Sequence, residues 1–239
     1  MKPMAFSLTR TLLVSLLLFT PFGLSACGSD QSQAALGCAT AASPCLSGKA
    51  VVSLQTSRGE VVVELNGADA PLTAGNFVDL VRRGTYNNTV FHRVVNQPTP
   101  FVVQGGDPQN ATPGVSPELF GTGSFLDPST GQTRFIPLEL GLKGKAIPRY
   151  GEQLTDPAEA SQLRLLHERG AIAMARSEDP NSASAQFYVA LRPLPELDGR
   201  YAVFGRVVKG MEVVDRIQQG DKLVKANVIE GGTLVKGQP

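Results

Sequence analysis

Tyr86-Asn87-Asn88-Thr89-Val90-Phe91-His92-Arg93-Val94-Val95, followed across a short linker by Phe101-Val102-Val103-Gln104-Gly105-Gly106-Asp107, is the stretch on which the reading of the fold turns. Both runs are rich in β-branched and aromatic residues, the composition of strands. Each also carries a polar side chain among apolar ones, Arg93 in the first and Gln104 in the second. A third run, 186–191, places Gln186 before Phe187-Tyr188. Any one of these polar groups has a structural reading as well as a functional one.

Outward from this stretch the chain stays strand-rich. Residues 50–56 (AVVSLQT) and 60–66 (EVVVELN) flank the turn Ser57-Arg58-Gly59 and predict a hairpin. Pro71 opens a helical pattern that puts Leu72, Phe77, Leu80 and Val81 near one face, with Arg82 and Arg83 in the last turn and Gly84 as stop. Further β-like runs fall at 135–140, 171–175 and 202–208. Asp156-Pro157-Ala158-Glu159 has a capping residue, a first-turn proline and a capping-box acid, which predicts a helix through His167 ended by Gly170. A last short helix is expected over Met211–Gln218. Many strands with few helices, in no regular βαβ alternation, suggest a closed or nearly closed barrel capped by helices. Residues 105–134 form a long Gly-, Pro- and Asn-rich segment without a period, and such loops are usually functional or mobile.

The 239 residues suit one ordinary domain or at most two small ones, at 42% hydrophobic and 18% charged. A formal charge of +1 gives no basic excess for nucleic acid, and the chain has one apolar stretch, at its extreme N-terminus. There Lys2 and Arg10 precede the apolar run 11–18 (TLLVSLLL), which reads as a secretory signal peptide over residues 1–26. It ends in Leu24-Ser25-Ala26-Cys27, which resembles the lipobox of bacterial lipoprotein precursors and implies lipidation of Cys27. The alternative is a plain cleaved signal. Removing residues 1–26 takes away Lys2 and Arg10, so the charge becomes −1. Residues 27–48 are small and polar and read as a flexible tether, which leaves 49–239 as the folded domain. Within the tether Cys38 and Cys45 are candidates for a local disulfide in an oxidising compartment. Metal binding is the weaker reading, since no histidine or third free cysteine is near.

His92 and His167 are the only histidines, and no serine or cysteine has a nucleophile context such as G-x-S-x-G. A phosphate-cradling loop, a dinucleotide fingerprint and an HExxH helix are also missing from the sequence. Neither cofactor nor metal is expected. His92 reads as structural, His167 as a surface residue at a helix end, and Asp107, after two glycines, as turn chemistry.

The two opening runs resemble the signature of the cyclophilin family of peptidyl-prolyl cis/trans isomerases. Gly170-Ala171-Ile172-Ala173-Met174-Ala175-Arg176, Asn181–Tyr188 and Leu197–Val207 match later blocks of that family in order, so the likeness covers about 50–236. It implies a mainly β fold, a closed eight-stranded antiparallel β-barrel capped by two or three helices. It implies Arg93 as the catalytic guanidinium and Phe101, Val102, Tyr188 and Leu197 as walls of a proline pocket. Gln104 and Gln186 would be polar groups beside it, Ala175, Arg176 and Ser177 would line the groove for the substrate backbone, and Tyr201 would sit at the rim.

The resemblance implies a monomer that accelerates X-Pro rotation in exported or membrane-proximal polypeptides, held by Cys27 on a bacterial membrane and facing the periplasm or cell exterior. A non-catalytic module that grips proline segments, as chaperone or scaffold, is the competing reading. This chain departs from the family at several positions. Asn96-Gln97-Pro98-Thr99-Pro100 lengthens the turn after Arg93, and a register shift there would separate Arg93 from its pocket. Val102 stands where methionine is common, Tyr188 where phenylalanine is, and Tyr201 where histidine is. Glu196 replaces a tryptophan associated with cyclosporin binding, so inhibition by that drug is expected to be weak.

Overall fold

The computed structural model describes residues 43–236 together with Met1, Gly37, Cys38 and Ala41. The expected signal peptide beyond Met1, Cys27 and most of the expected tether lie outside the described residues. The hairpin forms as its composition requires: β1 (Cys45–Thr56) pairs with β2 (Gly59–Asn66), and Thr56 stands opposite Gly59. The Thr56 hydroxyl accepts from the Arg58 amide at 3.0 Å and donates to the Gly59 carbonyl at 2.8 Å, closing the turn. Val52, Leu54, Val61, Val63 and Leu65 all point into the core.

β1 starts ahead of the expected boundary at 49, which corrects the extent of the tether. Cys45 and Leu46 are buried, because the chain here lies directly on the first helix. A Cβ on Gly75 of that helix would come within 2.2 Å of the Pro44 carbonyl oxygen, so the contact is backbone to backbone. Gly75, which has no Cβ, allows this approach, and it lies in the helix rather than in the segment read as linker. Cys38 and Cys45 are joined by a disulfide, with Cα atoms 5.8 Å apart.

The helix α1 (Pro71–Arg82) buries Leu72, Phe77, Leu80 and Val81, and Gly84 follows with φ 71°. Ala70 supplies no side-chain cap. Instead Glu139, far along the chain, accepts from the amides of Leu72 at 3.0 Å and Thr73 at 2.7 Å. A carboxylate at the positive end of a helix satisfies donors that would otherwise be orphaned.

The run 89–95 splits into β3 (Thr89–Val90) and β4 (Arg93–Val95). The remaining strands are β5 (Val102–Gly105), β6 (Glu139–Leu140), β7 (Arg149–Tyr150), β8 (Ala171–Met174), β9 (Phe187–Ala190), β10 (Val203–Lys209) and β11 (Lys222–Val235). Nine of them form one sheet in the order β3-β11-β1-β2-β10-β8-β9-β5-β4, while β6 and β7 pair separately. This corrects the expected closed eight-stranded barrel. The sheet is curled and mainly antiparallel, with β3 and β4 as unpaired edges among the described residues. Only Phe91 and His92 separate those edges in the chain, so the sheet curls until its ends meet at that dipeptide. The backbone groups of Phe91 are engaged with Asp221 and Gly220, after which the chain changes partner to β5, so the ends are joined covalently rather than by a ladder.

Two helices are shorter than their sequence signals. In α2 (Pro157–Ala160) Asp156 does cap, accepting from Ala158 at 2.8 Å, but the helix stops at once. Leu163 bridges to Leu142 and buries with Leu138, Leu140, Leu154 and Ala202, and the chain leaves the helix to reach them. The helix α3 (Met211–Val214) likewise ends before Gln218.

Candidate active site

The site follows from the two-residue period of the strands. Across β4, β5, β9 and β8 one rung aligns Arg93, Gln104, Tyr188 and Ala173. The neighbouring positions Val103, Phe187, Val189, Ile172 and Met174 turn the other way, into the interior. A one-residue slip would exchange these sets. The lengthened 96–100 turn causes none: Val94 stands opposite Val103, Val95 opposite Val102, and the Phe101 amide bonds the Val95 carbonyl at 2.8 Å. Arg192 braces the turn through the Pro100 carbonyl at 3.1 Å.

On the outer face lies a cavity of about 210 Å³ lined by Arg93, Phe101, Val102, Gln104, Ala175, Arg176, Tyr188, Leu197 and Tyr201. Nine of the eleven residues expected at the site therefore meet in one pocket. Ser177 lies outside it, in the adjoining cavity, where its hydroxyl is 2.7 Å from that of Ser182. Gln186 stands one row behind. Val102 and Tyr188 give an apolar floor, with the Tyr201 ring edge-on to Tyr188 at 5.9 Å.

The polar side is oriented from behind. The Gln186 amide nitrogen donates to the carbonyls of Gly121 at 2.9 Å and Gly123 at 2.8 Å, which turns its oxygen toward the Gln104 amide nitrogen at 3.2 Å. Gln104 in turn presents its oxygen to the Arg93 Nη1, 3.4 Å away. Two carbonyl acceptors thus set the direction of both amides and leave an acceptor facing the guanidinium. Arg93 is exposed and, among the described residues, pairs with no carboxylate. Its charge remains available to a ligand.

The long 105–134 segment enters here. Asp107, completely buried, accepts from the amides of Gln109 at 2.9 Å, Gly121 at 2.6 Å and Gly123 at 3.3 Å. Asp107 therefore does more than close a turn, because it holds the carbonyls that orient Gln186. The His92 ring packs against this segment, where a Cβ on Gly121 would lie 2.9 Å from its Cδ2. Burial holds the His92 pKa below the ordinary histidine value, and the Asp107 charge opposes that shift.

Arg176 stacks on Tyr201 at 4.7 Å and donates to the carbonyls of Arg200, Ser177 and Glu178, so its guanidinium is committed to the frame of the pocket. His167 corrects its expected place at a helix end on the surface. It is 2% exposed and bonds both Asp198 and the Tyr188 hydroxyl. One signal pointed to it: a phenol in an apolar strand needs a buried partner, and this sequence has few to offer. Burial raises the Tyr188 pKa well above its ordinary value.

Residues 51–234 match the family model described as cyclophilin type peptidyl-prolyl cis-trans isomerase/CLD. The chain is 42% identical over 205 residues to a putative thylakoid lumen peptidyl-prolyl cis-trans isomerase of Synechocystis sp., covering 81% of this chain and 51% of that protein. It is 34% identical over 190 residues to peptidyl-prolyl cis-trans isomerase-like 1 of Gibberella zeae, covering 75% and 94%. Among solved structures it resembles a Cryptosporidium parvum cyclophilin type isomerase with TM-score 0.55, 22% identity and coverage of 77% and 99%. It also resembles the cyclophilin AquaCyp293 of Hirschia baltica with TM-score 0.52, 25% identity and coverage of 77% and 76%. The fold is the one these cyclophilin-type structures share. The chain belongs to the cyclophilin-type peptidyl-prolyl cis-trans isomerase family, and it spans about half the length of the Synechocystis relative.

Proposed function

We propose that this chain catalyses cis/trans rotation of X-Pro bonds in exported or membrane-proximal polypeptides, with Arg93 as the catalytic group. The observation that carries the reading is a guanidinium that, among the described residues, pairs with no carboxylate, set beside a pocket of about 210 Å³ with an apolar floor. A peptide bond resists rotation by about 18–20 kcal/mol because the nitrogen lone pair is delocalised. Twisting localises that pair on the prolyl nitrogen, where a cationic donor binds it more strongly than in either planar state. Arginine stays charged at every working pH and offers a rigid fork of donors. The floor of Phe101, Val102, Tyr188 and Leu197 holds the proline ring while the preceding carbonyl turns. Lowering the barrier by about 7 kcal/mol would give roughly five decades of rate, within reach of electrostatics and positioning.

The test is the cis-to-trans rate of an Ala-Pro peptide with purified protein and its Arg93→Ala variant. A fall of a hundredfold or more in kcat/KM, about 2.7 kcal/mol, is expected. A well-folded protein that binds the peptide without accelerating it would give way to the chaperone reading. Glu196, paired with Arg192 at 2.7 Å, offers cyclosporin no indole, and submicromolar inhibition would contradict that account.

The finer placement is a monomeric lipoprotein anchored through Cys27. The leader and its Leu24-Ser25-Ala26-Cys27 junction support it, as does the similarity to a protein named for the thylakoid lumen. Cys27→Ala should move the protein from the membrane fraction to the soluble one.

A further inference from the structure

His167 lies behind the proline pocket and joins two of its walls. Its backbone N–H donates to Asp198 Oδ1 at 2.9 Å, and its ring Nδ1 lies 2.8 Å from the same oxygen. Its carbonyl accepts from the Leu194 amide at 2.8 Å. On the other side of the ring Nε2 lies 2.9 Å from the Tyr188 hydroxyl, and the two rings stack nearly parallel at 12°. Tyr188 comes from β9, whereas Leu197, directly before Asp198, sits on the turn Pro195–Leu197. These two pocket walls come from elements that no ladder connects, and one imidazole bridges them.

The direction of the bonds follows from Asp198. A carboxylate accepts only, so Nδ1 carries the proton, and with the ring's one proton there Nε2 is the acceptor to which the Tyr188 hydroxyl would donate. The phenol oxygen therefore points out of the pocket toward His167, and a ligand meets an aromatic ring without its polar end.

We propose that His167 is a positioning residue for the isomerase site. It sets the separation of Tyr188 and Leu197, and the Tyr188 hydroxyl serves to be held from behind rather than to contact substrate. The proposal rests on the isomerase reading of the pocket. A purely space-filling histidine would need neither the Nδ1–H tautomer nor the acceptor bond, which gives the test.

Nitrogen-15 NMR of His167 in the full wild-type chain is expected to show Nδ1–H with Nε2 unprotonated and hydrogen-bonded. The Nε2 resonance should shift when Tyr188→Phe removes the donor, while Nδ1–H persists. In kinetics with an Ala-Pro peptide, His167→Asn keeps a donor near Asp198 but loses the acceptor, and should raise KM about tenfold with a smaller change in kcat. The His167→Asn, Tyr188→Phe double variant should be no worse than the worse single variant, because both changes cut one link. Three results would each overturn the proposal: the Nε2–H tautomer in wild type, an unchanged KM in folded His167→Asn, or losses that multiply in the double variant. Tyr188→Phe is nearly isosteric, and the tautomer is read in wild type, so a variant that fails to fold does not remove the test. If wild-type protein shows no isomerisation, the isomerase reading fails, and the tautomer and the coupling measured in peptide affinity still decide whether His167 ties the walls.

Discussion

Phe187 and Tyr188 are neighbours on β9, both aromatic and both buried, yet they belong to different halves of the molecule. Phe187 points inward and packs edge-on against Phe77 at 5.3 Å and Tyr86 at 5.5 Å. Tyr188 points outward, shares its rung with Gln104 and Arg93, and floors the pocket. One strand thus serves stability with one face and recognition with the other. The inner face is apolar and close-packed, where a lost side chain leaves a void. The outer face is half open to water, where a lost charge changes chemistry more than folding.

The largest effect that could break this division is Phe187→Ala, expected to cost about 3–5 kcal/mol in urea unfolding. A cost below about 1 kcal/mol would show that the inner face does not carry the fold. Next comes Arg93→Ala, whose catalytic loss should leave stability within about 0.5 kcal/mol of wild type, as for other exposed residues. Equal losses in activity and in unfolding free energy would merge the two faces. The two differ again in how they hold charge. Glu139, completely buried at the N-terminus of α1, has its pKa raised above the ordinary 4.5 by burial, against the pull of its donors Thr73, Leu72 and Tyr150. Between 4.5 and that raised value the folded state keeps a proton that the unfolded chain has lost, so this group makes stability fall as pH rises through the window. Glu139→Gln should flatten that slope in denaturation midpoints measured from pH 4 to pH 8, and an unchanged slope would show that Glu139 does not set it. The smallest effect sharpens the contrast: Arg206→Ala, which removes an exposed partner of Glu64 at 3.4 Å, should change stability by no more than about 0.5 kcal/mol in the same unfolding assay.

Much of this division was legible along the chain. The alternation in 101–105 and 186–190 marks which side chains share a face, and local period is what a sequence displays best. Other elements were not legible. β11 is the longest strand, yet register shifts against β1 break its alternation and leave Val224, Ile229 and Val235 exposed, so no two-residue pattern survives in Lys222–Val235. The helix signal at 156–167 was genuine at its cap and failed within a turn, because Leu163 gains more by joining Leu138 and Leu142 than by continuing the helix. Cys45 and Leu46 read as linker because their neighbours in the chain are small and polar, whereas the contact that buries them is with Gly75, about thirty residues further on.

The hairpin, the helix α1, the ordered blocks that mark the family and the identity of the polar groups among apolar strand residues can all be read along the chain. These are local properties, set by side-chain period, turn chemistry and composition. Long-range packing makes β3 and β4 the two ends of one curled sheet. It also brings Glu139 to cap α1, sets Gln186 one row behind the pocket, and buries His167 between Tyr188 and Asp198. Each of these depends on partners far apart in the chain, and which distant groups meet is settled by the packing of the whole sheet, which no local window contains.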